Sequence, residues 1–430
     1  MVINKKEISL FILNFLFFLI VDSRLPFGRF FFLFIIFYLV RIYLKRSFNI
    51  DNFSFFFRNK ILVLSVVIIS IGVLRNCDPN VSFFELCFRL FKFISFVFFV
   101  TYFTRSYIIQ FLEDKNRILQ LVVILVVPFL IFAILNLVLF FLDIKNENKF
   151  AYGNSVTLQS LGVYFERVSF YLVSGINSYG AVVGMFLSIM LTYLLLIRRY
   201  WLSYFSCFIF LLILLFTDTR AALFFSVLSF LITFLFYKEI IKIKYSKWLI
   251  YIMIVGPFLL ILTLGMFGSE SVLLRDGEDF QSGNSRLLIW IISLNDLAQF
   301  KWIHLFGYGE IGIQFSSSLN EFSKLLNTED LYLLHPHNAL IVSIVDNGYI
   351  GALIFIILMY STLKKNEIGW KYHNKIQILI LVFFIYNIFI GITETIYGLY
   401  YQSFYTAFYV FVILQFAISD ALLHSNKTLK

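Results

Sequence analysis

The sequence has few charged residues for its length. Aspartate, glutamate, lysine and arginine make up 14% of its 430 residues, whereas 60% are hydrophobic and the mean hydropathy is +0.88. A soluble domain is about 25% charged and about 45–50% apolar, and a chain as apolar as this one has too little polar surface to cover its core. The composition therefore excludes a soluble enzyme and a disordered chain.

Cysteine, glycine and proline are also scarce. The three cysteines (Cys77, Cys87 and Cys207) are scattered and show no metal-binding spacing, which excludes a disulfide scaffold. With 20 glycines and 5 prolines, the chain is not collagen-like. The net charge of +10 is typical of cytoplasmic loops in so apolar a chain, so we predict membrane lipids and no nucleic acid as partners.

What the sequence does contain is a series of long apolar runs. A helix of about 20 residues crosses the core of a bilayer. Twelve runs approach this length and predict an all-α polytopic membrane protein with about 12 transmembrane helices: 8–21, 29–44, 60–75, 83–103, 118–142, 176–197, 200–216, 221–237, 248–266, 338–361, 377–393 and 400–418. The run at 83–103 carries Glu85, Arg89 and Lys92 on one helical face, which would line the protein interior or lie in the membrane interface.

Lysine and arginine orient the predicted helices. If the N-terminus is cytoplasmic, about twice as many of these residues fall on the cytoplasmic side as on the outer side, so both termini are predicted to be cytoplasmic. Residues 1–266 would then contain transmembrane helices 1–9, residues 267–337 a large outer loop, and residues 338–430 helices 10–12 with a cytoplasmic tail. Loops as long as the outer one commonly carry function.

The first candidate for chemistry on the outer face is the segment TDTR, residues 217–220. Arg220 would lie at or just inside the membrane boundary, where an arginine is costly unless it is paired or faces a polar cavity. Its guanidinium either reaches the lipid headgroups, pairs with Asp218, or binds an anionic ligand through its planar fork.

Two further candidates follow in the outer loop. Arg286 and Trp290 are four residues apart on a predicted short helix, with Gly307 and Gly309 after it; this is either an ordinary packed loop helix or part of a site.

His335 and His337 flank Pro336, which fits the first turn of the tenth helix. They either stabilise that helix start or act in catalysis, because the positive end of a helix favours the neutral imidazole of a general base. Neither cysteine nor converging carboxylates complete a metal site, so no metal is predicted.

These residues resemble the bacterial O-antigen polymerase and O-antigen ligase superfamily. HPHNALIVSIVDNGYIG fits its His-Asn-x9-Gly-x-x-Gly pattern with His337, Asn338, Gly348 and Gly351 in register. TDTRAA and the Arg-Trp-Gly-Gly order of the outer loop fit two further elements. ERVSFYLVSGINSYG fits a fourth through Arg167 and Asn177, although Ile176 replaces the usual proline. The resemblance covers about residues 160–355.

The resemblance implies a glycosyltransferase of GT-C-like fold in the bacterial inner membrane, with its active site at the periplasmic face and no cofactor. Its substrate would be an oligosaccharide linked to undecaprenyl diphosphate, and its partners a chain-length regulator and a flippase. The residues it implies are His337, Arg220 and His335 for catalysis, and Arg286, Arg167, Asn338, Trp290 and Asn177 for substrate binding.

Within that superfamily we expect a polymerase that joins repeat units into O-antigen polysaccharide during lipopolysaccharide biosynthesis. Two alternatives stay open. One is a ligase that transfers the finished glycan to lipid A–core. The other is a non-enzymatic transporter of the lipid-linked oligosaccharide, although a transporter predicts ionisable residues near the middle of the membrane rather than on one face.

Overall fold

The computed structural model describes residues 51–75, 81–104, 118–144, 155, 162–173, 175–266, 286–310, 312, 316, 336–371, 374–395 and 405–428. Within these residues the chain forms helices joined by turns and loops, with no β-strand. The predicted runs at 8–21 and 29–44 lie outside the described residues. Each run predicted from residue 60 onward overlaps a helix, although the helices that cover the runs 338–361 and 400–418 extend nine and ten residues past the ends of those runs.

The helices in chain order are α1 (Asp51–Arg58), α2 (Lys60–Leu74), α3 (Phe83–Phe103), α4 (Ile118–Phe141), α5 (Ile176–Thr192), α6 (Trp201–Thr217), α7 (Arg220–Tyr237), α8 (Leu249–Met266), α9 (Arg286–Ala298), α10 (Ile303–Phe306), α11 (Ala339–Trp370), α12 (Asn374–Ile390) and α13 (Tyr405–Thr428). A π-helical turn, Tyr193–Ile197, extends α5, and a 3₁₀ helix, Ile243–Trp248, precedes α8.

Four of the described helices are long and apolar enough to cross a membrane: Val122–Phe141, Ile176–Ile197, Arg220–Tyr237 and Ala339–Trp370. Large apolar side chains such as Phe208, Phe224 and Leu353 are more than half exposed, as expected of residues that face lipid. The chain is therefore an all-α, multi-pass membrane protein. The number of twelve crossings and the GT-C-like arrangement stay predictions.

The charged face of α3 turns toward the protein, which is one of the two interpretations of this run. The Arg89 guanidinium contacts Glu85 of its own helix at 3.2 Å and the buried carboxylate of Glu310 at 3.1 Å. Because a buried carboxylate requires a cationic partner, the pair between Arg89 and Glu310 connects α3 to the loop that follows α10.

Three helices form the centre of the bundle. α5 packs against both α7 and α12, and α7 also packs against α12. The Ser226 hydroxyl donates to the Gly184 carbonyl at 2.7 Å, and the Tyr386 hydroxyl donates to the Ala181 carbonyl at 2.6 Å. Such contacts replace the hydrophobic driving force that helices lack inside lipid, so they fix the positions of α7 and α12 relative to α5.

α11 and α12 form an antiparallel pair. Near the end of α11, Asn366 donates to the Gln377 side chain of α12 at 2.7 Å. At the other end of the pair, the Ala339 N–H donates to the Gly391 carbonyl at 2.9 Å. The residues that start α11 therefore lie beside the turn that follows α12.

α11 is broken near its start, at Gly348, where φ is 73° and ψ is −178°. The break leaves the carbonyls of Val345 and Asp346 without helical partners, and these accept the N–H groups of Tyr308 at 2.8 Å and Gly309 at 2.9 Å. Irregular backbone at membrane depth is tolerated only where such bonds are made. The loop after α10 therefore packs into the break in α11 and supplies the missing backbone donors.

A buried side-chain cluster holds the same loop to α9. Asp296 accepts hydrogen bonds from Lys301 at 2.8 Å and from the Tyr308 hydroxyl at 3.1 Å. The ring of His304 lies 3.1 Å from that hydroxyl, and burial lowers the pKa of His304 below its ordinary value. A neutral ring at this position connects α10 to Tyr308 without adding a buried charge.

Gly307→Ala is expected to lower the midpoint of thermal unfolding of the purified protein. Gly307 has φ 76° and ψ 178°, a conformation that costs other residues about 1–3 kcal/mol. A Cβ there would also lie 2.3 Å from the Asp346 carbonyl oxygen. The matched control is Gly162→Ala, since Gly162 has φ 79° but open space around it. Equal losses in the two variants would contradict the packing of the loop against the break.

Candidate active site

The polar residues singled out in the sequence gather at one end of the bundle, which we call the site end: the starts of α5, α7 and α11 and the ends of α6 and α12. Phe225 in the second turn of α7 stacks on Phe389 in the last turn of α12, with ring centroids 5.7 Å apart. Since α12 continues into the turn that contacts the start of α11, Arg220 at the start of α7 and His337 before α11 lie at the same end.

His337 contacts an acidic residue that is distant in sequence. Its Nδ1 lies 3.2 Å from Oε2 of Glu394, whose side chain is 10% exposed, while the His337 side chain is 35% exposed. A carboxylate that accepts from Nδ1 favours the neutral tautomer in which Nδ1 carries the proton and Nε2 carries the lone pair. The partly exposed ring can therefore accept a proton from a hydroxyl group bound at this end.

The backbone at His337 is unusual as well. Its φ is 47°, and it is one of four non-glycine residues with positive φ in the described chain, together with Asp143, Asp218 and Glu239. Such a conformation is uncommon and persists where the surroundings enforce it, which is typical of functional sites. Asp218, between α6 and α7, is another residue of this kind at the site end.

Arg220 opens α7 directly after that strained turn. Its Nε lies 3.9 Å from Oδ2 of Asp218, whose carboxylate is fully buried, and 28% of the Arg220 side chain is exposed. Within the described part of the chain, this long ion pair is the one polar contact of the guanidinium. A partly exposed arginine with so distant a partner retains hydrogen-bond donors for an anionic ligand.

Arg167 and Asn177, predicted together as substrate-binding residues, contact each other. The Arg167 Nε donates to the Thr217 carbonyl at 3.0 Å, and Nη2 donates to the Asn177 side-chain oxygen at 3.2 Å. Arg167 is 7% exposed. These bonds tie the last residue of α6 to the first turn of α5, so in the structure Arg167 supports the turn that carries Arg220.

Trp290 and Asn338 also make their contacts within the protein. Trp290 is buried and its indole N–H donates to the Pro336 carbonyl. Asn338 caps α11 by accepting from the Ile341 N–H at 2.9 Å, and its amide donates to the Ile392 carbonyl at 2.9 Å. Both residues therefore hold the backbone on either side of His337.

The start of α11 lies three residues beyond Pro336, which the sequence placed in the first turn of the helix. Because Asn338 is the capping residue, Pro336 and His337 precede the helix instead of forming its first turn. His337 still lies next to the helix N-terminus. α9 does begin at Arg286, as the spacing predicted. The side chain of Arg286 and the whole of His335 lie outside the described residues.

Glu394 is the site residue that sequence reasoning missed. It lies 57 residues beyond His337 and belongs to none of the motifs. The available signal was its position directly after a long apolar run, where a charged residue marks a membrane boundary. Among the described residues, no three histidine, cysteine, aspartate or glutamate side chains converge as a metal-binding group.

A comparison with known families supports the resemblance of this site. A family model described as O-antigen ligase matches residues 205–356. The resemblance to the O-antigen ligase and polymerase superfamily is confirmed. The matched segment runs from α6 into the second part of α11 and includes Arg220, Trp290, His337 and Asn338. No curated protein matches the chain.

Part of the site end lies outside the segment that the family model matches. Arg167 and Asn177 precede the matched segment, and Glu394 follows it. The structure brings these three residues to the same end as the matched ones, because α5 and α12 both pack on α7. The site end is thus a feature of the folded bundle and extends beyond the matched segment.

Proposed function

We propose that the chain is a polysaccharide polymerase. It would transfer a growing glycan from undecaprenyl diphosphate to the next lipid-linked repeat unit at the periplasmic face of the inner membrane. The observation that carries this proposal is the His337–Glu394 pair lying at the same end of the bundle as Arg220. A base at this position can take the proton of the acceptor hydroxyl, and a cation can stabilise the negative charge that develops on the leaving diphosphate.

The reaction balances with these two groups. The acceptor hydroxyl attacks the anomeric carbon of the donor sugar, a new carbon–oxygen bond forms, and the bond from that carbon to the diphosphate breaks. His337 takes the hydroxyl proton on Nε2, which is worth roughly 10²–10⁴-fold in rate. Undecaprenyl diphosphate leaves with the bonding electron pair, and the charge that develops on it is stabilised by Arg220.

The helix ends add to the positive potential at the site end. α5, α7 and α11 all begin there, and each helix N-terminus carries roughly half a positive charge. Thr219 lies against the first turns of α5, since a Cβ at Gly180 would come within 2.6 Å of three Thr219 side-chain atoms. The N-termini of α5 and α7 are therefore neighbours, and both favour a diphosphate nearby.

The ligase reaction remains the second candidate, because the matching family model is described as O-antigen ligase. Both reactions use the same donor and release the same lipid diphosphate, so the base and the cation would serve either. They differ in the acceptor, which is a lipid-linked repeat unit for the polymerase and lipid A–core for the ligase.

The deciding experiment supplies the purified full-length chain with lipid-linked repeat unit, with lipid A–core, or with both. A polymerase produces a ladder of lipid-linked glycans from the repeat unit alone. A ligase produces glycosylated lipid A–core from the mixture of both substrates. It produces no ladder from the repeat unit alone. If all mixtures stay unchanged with active preparations of the substrates, the proposal of a glycosyltransferase is wrong.

Glu394→Gln is expected to lower the turnover rate by about 10–100-fold and to leave KM nearly unchanged. The amide keeps the shape of Glu394 but removes the negative charge that holds the His337 tautomer. Glu239→Gln, an exposed residue at the opposite end of α7, is the matched control and should keep full activity. An unchanged turnover rate in Glu394→Gln would contradict the positioning role of this carboxylate.

A further inference from the structure

The end of the bundle opposite the site end carries a concentration of lysines, which we call the lysine end: residues 238–248, between α7 and α8, and residues 364–371, at the end of α11. These two stretches contain seven lysines (Lys238, Lys242, Lys244, Lys247, Lys364, Lys365 and Lys371) and two glutamates, Glu239 and Glu367. Lys247 lies 3.5 Å from Glu367, which holds the two stretches together.

The fold exposes five of these lysines (Lys238, Lys242, Lys244, Lys364 and Lys371), whereas Lys365 is half-buried over the Phe416 ring and Lys247 pairs with Glu367. The 3₁₀ helix Ile243–Trp248 packs against α11, and within it Ser246 is buried while Lys242 and Lys244 on the same stretch are exposed. A helix this short is held in place by packing instead of by its own hydrogen bonds. The exposed lysines are therefore fixed relative to the ends of α7, α8 and α11.

Exposed aromatic side chains lie among the lysines. Tyr245, Trp248 and Tyr251 are each about half exposed, and the rings of Trp248 and Tyr251 stack with centroids 5.3 Å apart. The Lys244 ammonium lies 5.1 Å from the centre of the Tyr245 ring. Tyrosine and tryptophan are enriched at the level of lipid headgroups, where one side of the ring is apolar and the other is wet.

We propose that the lysine end is a binding surface for anionic phospholipid headgroups. The lysine ammonium groups would contact the lipid phosphates, and Tyr245, Trp248 and Tyr251 would insert at the level of the glycerol backbone. Three observations favour lipid over a soluble anion: the lysines adjoin the apolar helix α7, the aromatic side chains lie among them, and apolar side chains such as Leu231 on α7 and Val255 on α8 are exposed on the neighbouring helices. Clusters of four to eight basic residues beside a membrane helix are typical of such binding.

The proposal can be tested with Trp248 as reporter in the full-length protein. The protein is placed in nanodiscs that contain phosphatidylcholine with brominated phosphatidylglycerol or with brominated phosphatidylcholine, since bromine quenches nearby tryptophan. The Trp248→Phe variant supplies the signal of the other tryptophans for subtraction. We expect phosphatidylglycerol to quench Trp248 at a lower mole fraction than phosphatidylcholine.

Two double variants distinguish lipid binding at the lysine end from a general effect of positive charge at that end of the bundle. Lys242→Gln/Lys244→Gln is expected to weaken the preference for phosphatidylglycerol by about 10–30-fold. Arg198→Gln/Arg199→Gln removes the same charge from exposed residues between α5 and α6 and should keep the preference. Equal quenching by the two lipids, or equal losses in the two double variants, would overturn the proposal.

Inorganic phosphate distinguishes a headgroup from a free anion. At matched ionic strength, added phosphate should leave the quenching by brominated phosphatidylglycerol unchanged. Displacement of the lipid by phosphate would show that the lysines bind the free anion, which also overturns the proposal. None of these measurements depends on glycan transfer at the site end.

Discussion

His337→Ala lowers the rate of polymer formation by roughly 10²–10⁴-fold if the imidazole is the general base. The ring is partly exposed at the site end, and Glu394 contacts its Nδ1 at 3.2 Å, which favours the tautomer that would take the hydroxyl proton on Nε2. The measurement is the rate of ladder formation from lipid-linked repeat unit by equal amounts of the purified variant and the unchanged protein.

Chemical rescue provides the control for this variant. Removing the ring leaves space for free imidazole, which should restore part of the rate if the lost function is proton transfer. The unfolding midpoint should change little, because Asn338 and Trp290 continue to hold the backbone around residue 337. A rate equal to that of the unchanged protein would reject His337 as the base.

Arg220→Ala is expected to lower the same rate by about 10²–10³-fold, the loss typical of removing one donor to a developing negative charge. Arg220→Lys should also be impaired, because an ammonium cannot bind two phosphate oxygens in the planar, bidentate manner of a guanidinium. Both variants are assayed for ladder formation and for product release as free undecaprenyl diphosphate.

The matched control for Arg220 is Arg199→Ala. Arg199 is exposed and lies at the far end of α5, so its removal changes the net charge equally without touching the site end. Full activity in Arg220→Lys would reduce the role of Arg220 to its charge. Full activity in Arg220→Ala at equal expression would remove it from the site.

Local features of the fold could be predicted from the sequence because they depend on neighbouring residues. The tight link between α6 and α7 followed from TDTR, and the start of α9 at Arg286 followed from the apolar spacing after it. Gly348 was marked by its motif, and the structure gives the physical reason: its positive φ allows the break in α11.

The contacts between distant segments could not be read from one sequence. Glu394 meets His337 because α11 and α12 are antiparallel, and nothing in the local pattern near residue 394 reports that pairing. That Arg167 bonds to Thr217 and Asn177 could not be predicted either, since it depends on how the start of α5 lies beside the end of α6. Hydrophobic patterning gives the helices, whereas their order in space decides which polar groups meet.

The break in α11 also bears on how the protein is made. As one straight helix its 32 residues would extend about 48 Å, well beyond the roughly 30 Å of a bilayer core. Tyr308 and Gly309 are synthesised before α11, so the N–H groups that donate to the Val345 and Asp346 carbonyls already exist when that helix is made. The two peptide oxygens at the break therefore have donors that are made before they are, and α11 can cross lipid as two shorter segments.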